Sequence, residues 1–242
     1  NRYAFYRESM REATAQRLSL EPDLRRAIEA EQFVLHYQPQ IDVTTGAVVG
    51  VEALVRWNHP TLGLLPPSEF IPVAEEAGLI MAIWEWVFVT ALIQHNDWVQ
   101  DGLPPIAVGV NLSSVQFADT ALAGRVKEIA EVIGVPLDCI ELEITESALM
   151  GDFDTALATL NALREMGVAI AIDDFGTGYS SLSYLRRLPL RKLKLDIAFI
   201  RDAVESDEAA AIVAAIISIA NSLKLDVVAV GRDVDGANGH DP

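Results

Sequence analysis

Seven short apolar runs, spaced by stretches of helical periodicity, set the narrowest limit on what this chain can fold into. The runs are Phe33–Gln38, Val48–Val55, Ile106–Asn111, Cys139–Glu143, Val168–Ile172, Lys192–Asp196 and Asp226–Val230. Helical patterns fall at Pro67–Ala77, Ala82–Gln100, Ser114–Ile133, Phe153–Met166, Ser181–Leu188 and Asp207–Leu223. Ordinary stop signals close them, such as Gly134 before Pro136 and Gly167 after Met166. Strand and helix alternating this regularly predict an α/β fold with a mainly parallel sheet. Seven strands with helices between them approach the eight-stranded α/β barrel of roughly 250 residues. No eighth strand is legible among the 242 residues. The longest apolar run, Ala209–Ala220, is too short to span a bilayer and reads as a buried helix.

Charge narrows the partners. Eighteen basic residues against thirty-five acidic ones give a formal net charge of −17. Such a surface repels phosphate backbones and argues against duplex nucleic acid as a partner. An anionic substrate would need local positive charge from a few Lys or Arg side chains, or from metal ions. Cys139 is the only cysteine, so neither an intrachain disulfide nor a cysteine metal site is expected, in keeping with a reducing cytoplasm. No signal peptide or membrane contact is read within this segment. The chain opens on Asn1 rather than Met and reads as a piece of a longer polypeptide. Residues 1–20, NRYAFYRESMREATAQRLSL, read as the end of a preceding domain and a connecting helix, or else as a helix capping a barrel. Residues 21–242 read as the barrel domain.

In α/β barrels the site lies at the carboxyl edge of the strands, and here those ends are polar. Glu52 lies late in VVGVEALVRW, Asn111 ends IAVGVN and Glu143 ends CIELE, with Glu146 three residues on. Asp173 and Asp174 end VAIAI, and Lys194 and Asp196 lie in LRKLKLDIAFI. One buried acid at a strand end is usually a hydrogen-bonded structural carboxylate. Several meeting in one cavity would repel and lose hydration at a cost of many kcal/mol. Divalent cations remove that cost. All donors are oxygens, so Mg²⁺ or Mn²⁺ fits better than Zn²⁺. Adjacent Asp173 and Asp174 suit two close ions with one bridging carboxylate, an arrangement typical of phosphoryl hydrolysis. Gly176 and Gly178 in DFGTGYSS permit a tight loop beside them. Arg56 reads as a phosphate clamp or, equally, as a surface charge paired with an acid. Gln38 reads as a substrate contact or as a strand-end amide satisfying backbone. His36, His59, His95 and His240 share no ligand spacing, and Trp84, Trp86 and Trp98 read as packing.

YQPQID, VEALVRW, NLSSVQF, ELEITES, AIDDFGTGYSSLSYL and LRKLKLDIAFI resemble the successive motifs of EAL domains, bacterial phosphodiesterases acting on cyclic di-GMP. The resemblance runs in order from about Leu24 to Ala229. It implies a TIM-type (β/α) barrel with one antiparallel strand. It implies Glu52, Asn111, Glu143 and Asp173 as ligands of one ion, Asp173 and Asp174 as ligands of a second, and Lys194 as the residue that helps hold the attacking water. Gln38, Leu54 and Arg56 are implied to contact substrate, and Glu146 to steady the DFGTG loop, which also joins dimers in the family. The product would be linear pGpG. The opening residues are similar to the end of a GGDEF domain, which implies a GGDEF–EAL parent that membrane segments elsewhere can anchor.

The chain departs from the family's pattern near its end. Where the family reads VVAEGVE, this chain reads VVAVGRDV, with Val230 at the position of an expected glutamate ligand. Asp233 is the nearest carboxylate. The closing DGANGHDP has no final strand, QGY-type motif or last helix, so the barrel is read as lacking both. The leading expectation is a phosphodiesterase with impaired hydrolysis; the alternative is a catalytically silent cyclic di-GMP receptor. Mg²⁺-assisted enolate chemistry on a barrel is a distant third.

Overall fold

The computed structural model describes residues 20–150, 153–175 and 185–229. They hold strands β1 (Phe33–Ile41), β2 (Val48–His59), β3 (Gly63–Leu65), β4 (Ala107–Leu112), β5 (Ile140–Thr145), β6 (Ala169–Phe175), β7 (Lys192–Leu195) and β8 (Asp226–Ala229). The helices are α1 (20–29), α2 (Pro67–Glu76), α3 (Ile80–Gln100), α4 (Leu122–Ile133), α5 (Phe153–Glu165), α6 (Ile197–Glu205) and α7 (Asp207–Ser222). Strands follow the order β1-β2-β4-β5-β6-β7-β8, with β3 paired to β2. Every neighbouring pair from β2–β4 to β7–β8 is parallel. β1 and β2 are joined by a turn closed by Asp42 N–H donating to Ala47 O at 2.9 Å. A link that short has no room for a crossover, so β1 runs antiparallel to β2 and to the strands parallel with it, and the short β3 is antiparallel to β2 as well.

Two compact units are present. One takes the residues up to His36 together with Leu54–Thr90; the other takes Tyr37–Ala53 and everything from Ala91 onward. The first is centred on aromatic packing. Phe33, Trp57 and Phe70 lie with ring centroids 5.8–6.2 Å apart, and Trp57 is fully buried. Its indole N–H donates to Gln32 Oε1 at 3.1 Å, which lets so large a polar-tipped ring be buried. His59, on the end of β2, has Nδ1 accepting from the backbone N–H groups of Thr61 and Leu62. Its Nε2 meets Asp23 of α1 at 3.2 Å. His59 is therefore a hairpin brace.

The second unit carries the parallel sheet, and the period-two geometry of strands sorts its side chains. On β5, Ile140, Leu142 and Ile144 are fully buried and alternate with Glu141 and Glu143, also buried. β4 alternates Val108, Val110 and Leu112 with Gly109 and Asn111; β7 alternates Leu193 and Leu195 with Lys192 and Lys194. One face is thus uniformly apolar. The other is small, polar or charged.

Four sequence expectations change. The first strand runs on through Pro39 to Ile41; Pro39 is tolerated because β1 ends the strand order, where no ladder donor is needed. The pattern at Ser114–Ile133 divides into a 3₁₀ turn, Ser114–Ala118, and α4. The break is Asp119, whose extended backbone ends the turn and whose carboxylate accepts from Ala121 N–H at 2.9 Å. Asp196 lies just past the end of β7, where it is the N-cap of α6, accepting from Ala198 N–H at 2.6 Å. The apolar run Ala209–Ala220 forms α7 but buries only Ala220, leaving Ile212 and Ile217 exposed. β8 ends the described strand order, and among the described residues α7 packs mainly against α6 and β8. Most of Ser181–Leu188, together with Gly176, Gly178, Val230 and Asp233, lies outside the described residues. No described helix is long and apolar enough to cross a membrane.

Candidate metal centre

The polar face of the second unit brings several of its charges together. The pairing register aligns Glu52 with Gly109, Asn111 with Glu143, and Thr145 with Asp173. Carboxylate oxygens of Glu52, Glu143 and Asp173 all lie within 4.8 Å of one another. Lys194 Nζ sits among them, donating to Glu52 Oε2 at 2.6 Å and to Glu143 Oε2, with Asp173 Oδ2 at 3.2 Å. Asn111 Nδ2 donates to the other oxygen of Glu52 at 2.8 Å. Glu143 is wholly buried and Lys194 is 2 % exposed.

Three carboxylates and one ammonium leave a formal charge of −2. Burial pushes the Glu143 carboxyl well above the usual carboxylate range, and the Glu52 charge pushes it further, against the pull of Lys194. Burial likewise raises Asp173. For Lys194, burial favours the neutral amine, but Glu143, Glu52 and Asp173 outweigh it and keep the ammonium protonated. Two carboxylate oxygens, Glu143 Oε1 and Asp173 Oδ1, are buried with no hydrogen-bond partner. Buried acceptors left unmatched beside a residual double negative charge fit a hard divalent cation.

Asp174 is exposed and is not among the three grouped carboxylates, and it sits at a local irregularity. The β6–β7 pairing slips between Ile172 and Phe175, and Asp174 has φ +52°. In a regular strand, neighbours point to opposite faces; a bulge with one left-handed residue re-aims the second aspartate. Burial, then the charges of Asp173 and Asp196, raise the Asp174 carboxyl.

The other expected residues stand as follows. Gln38 is half-buried on β1, and Leu54 and Arg56 lie on β2 within the first unit. Arg56 is 4 % exposed and donates to Val55 O at 3.0 Å, so it is not a surface charge. Glu146 is buried and opens the 3₁₀ turn Glu146–Met150 directly after β5. Trp84 stacks on Phe88, and Trp98 packs edge-on against Tyr37; both are packing residues.

Two features escaped the sequence reading. Gly109 leaves the space that Glu143 fills: a Cβ there would lie 2.3 Å from Glu143 Oε1. A second charged cluster, Gln40–Glu141–Lys192, lies one inward position further back along the same strands. Its only sequence signal is spacing, since Glu141 and Lys192 each precede a site residue by two.

A mainly parallel α/β sheet with a cluster of acids at its strand ends is the architecture of TIM-type (β/α) barrels, whose sites lie at that edge. The chain belongs to the EAL domain family, whose sequence model matches residues 21–231. It is 44% identical over 235 residues to the bifunctional diguanylate cyclase/cyclic di-GMP phosphodiesterase MucR of Pseudomonas aeruginosa, covering 97% of this chain and 34% of that one. It is 42% identical over 231 residues to the cyclic di-GMP phosphodiesterase NbdA of the same organism, covering 96% and 30%. This chain therefore spans about a third of the length of these relatives. Among solved structures, the PaMucR phosphodiesterase in complex with c-di-GMP superposes with a TM-score of 0.84 at 44% identity, covering 90% of this chain and 88% of that one. The fold is thus the family's TIM-type barrel, and the expected antiparallel strand is β1.

Proposed function

We propose that this chain is a cyclic di-GMP phosphodiesterase domain that hydrolyses its substrate to linear pGpG with the help of Mg²⁺ or Mn²⁺. The observation that carries the reading is the buried triad of Glu52, Glu143 and Asp173, left at −2 around Lys194 with two unpartnered carboxylate oxygens. Its setting in a family whose relatives are named as phosphodiesterases supplies the substrate.

Glu52, Asn111, Glu143 and Asp173 would hold one ion, and Asp173 with Asp174 a second. When bound, the ions supply positive charge that acidifies a water and stabilises the attacking and leaving oxygens. The protein's own contributions follow from its geometry. Asn111 fixes one oxygen of Glu52, which leaves Oε2 for the centre of the triad. Lys194 is held protonated at the triad, so its ammonium is placed to orient a nucleophilic water and offset charge building on a phosphate oxygen. Arg56, Leu54 and Gln38 serve the substrate, Arg56 through its fixed charge. Glu146, at the start of its turn, holds the loop after Phe175. The same reading places residues 1–20 at the end of a GGDEF-like domain, the domain in the cytoplasm, and a homodimer contact at the DFGTG loop.

Val230 supports a second reading, a receptor that binds cyclic di-GMP without cleaving it. Valine cannot ligate an ion or take a proton. Incubation with cyclic di-GMP and Mn²⁺, followed by chromatography for pGpG with binding measured separately, decides between the two. Release of pGpG that is abolished by Glu143→Gln supports the enzyme. Binding without turnover, with turnover restored by Val230→Glu, supports the receptor. Absence of both binding and turnover refutes the assignment.

A further inference from the structure

The face that carries the triad holds a second buried charge cluster with no place in the chemistry just described. Lys192 Nζ donates to Gln40 Oε1 at 2.7 Å and lies 2.7 Å from both Oε1 and Oε2 of Glu141. The Glu141 side chain is 3 % exposed and that of Lys192 is 12 %. Gly50 makes room for the cluster: a Cβ there would sit 3.1 Å from Ala107 O and 3.4 Å from Gln40 Oε1. Glu141 and Lys192 precede Glu143 and Lys194 by two residues on β5 and β7, as Gly50 precedes Glu52 on β2. Two residues of strand are about 6.6 Å. The cluster is therefore a layer stacked directly behind the triad.

Its charge is what matters for the triad. Glu141 and Lys192 sum to zero, whereas the triad with Lys194 sums to −2, the complement of one divalent cation. Were Glu141 unpaired, a fourth buried carboxylate would stand one layer from Lys194 and compete for its ammonium. Were Lys192 unpaired, a buried positive charge would face the place where the cation binds. Charges this close act strongly because little water lies between them. A buried ion pair adds little net stability in itself, so stability alone gives no reason for this one.

We propose that the Lys192–Glu141–Gln40 layer is a positioning device that holds Glu141 neutralised behind the triad. It thereby keeps Lys194 on Glu52, Glu143 and Asp173 and sets the triad's affinity for a divalent cation. The inference rests on reading the triad as a cation site, and its test is separable from that reading. The full chain, freed of metal, is titrated calorimetrically with MnCl₂ at fixed pH and ionic strength, with thermal unfolding followed in parallel. Glu141→Gln gives the layer a net positive charge but keeps an acceptor for Lys192; it is expected to weaken Mn²⁺ binding at least tenfold. Lys192→Met gives the layer a net negative charge and is expected to leave Mn²⁺ binding as tight or tighter. The double variant Lys192→Met/Glu141→Gln is neutral and is expected to return to within threefold of wild type.

This opposition of sign separates charge setting from mere structural support, which would weaken binding in both single variants alike. Equal direction in the two, or a Glu141→Gln change of less than twofold, overturns the proposal. Should Lys192→Met not fold, Glu141→Gln and the double variant decide it. Absence of Mn²⁺ uptake by the wild type overturns the cation site and this proposal with it. Uptake by the wild type with the wrong signs in the variants overturns this proposal alone.

Discussion

Replacing Lys194 by methionine removes the single positive charge from the triad while preserving most of the side chain's volume. Three carboxylates then remain, 9 %, 0 % and 15 % exposed for Glu52, Glu143 and Asp173. Taking one partner from a buried ion pair costs about 3–5 kcal/mol, because the group left behind is charged and dry. In a domain of this size each kcal/mol moves the melting temperature by about 2–4 °C. The metal-free variant should therefore melt roughly 6–20 °C below wild type. Mn²⁺ should then reverse much of the loss. An ion at about a hundred times its dissociation constant stabilises the folded state by about 2.7 kcal/mol. In the wild type that ion must share its carboxylates with the ammonium, so the variant should gain more from Mn²⁺ than the wild type does. Differential scanning fluorimetry in EDTA and in a Mn²⁺ series measures both effects. A metal-free variant melting within about 2 °C of wild type, less than the shift from 1 kcal/mol, would refute the reasoning, as would equal Mn²⁺ gains.

Other predictions follow from single observations. Gly109→Ala places a Cβ 2.3 Å from Glu143 Oε1, so the carboxylate must turn away; Mn²⁺ affinity by calorimetry should fall about tenfold, as for other residues that orient ligands. Burial raises the Glu143 and Asp173 carboxyls, so the metal-free folded protein retains protons that the unfolded chain has released. Its stability should rise as pH falls from those raised values toward the ordinary carboxylate range, and gain no more from these groups below it. Melting curves in EDTA should show that trend, and Mn²⁺ should suppress it by replacing the protons. Trp57→Ala removes a fully buried ring from the packing of Phe33 and Phe70, and should cost about 3–5 kcal/mol by chemical denaturation.

Much of the acidic cluster was legible in the sequence because its residues lie at strand ends, where apolar alternation stops abruptly. Glu52, Asn111, Glu143, Asp173 and Lys194 stood out in runs otherwise made of Val, Ile, Leu and Ala. Asp196 carried the same signal but serves as a helix N-cap; a strand end and a helix N-cap look alike in sequence when one follows the other directly. α7 did mislead. Its composition fixes what it needs to bury, whereas the neighbours in the strand order fix what it gets.

From the chain alone came the alternation that makes a parallel α/β fold, the oxygen-only ligand set and the family motifs. All three are local: each needs only the order and type of nearby residues. The tertiary structure decided which charges meet. It brought Lys194 to three carboxylates, gave Glu141 to Lys192 rather than to the triad, and made Gly109 the space that Glu143 fills. Those outcomes join residues from about twenty to about a hundred and fifty positions apart, a separation over which only the hydrogen-bonded sheet fixes distance.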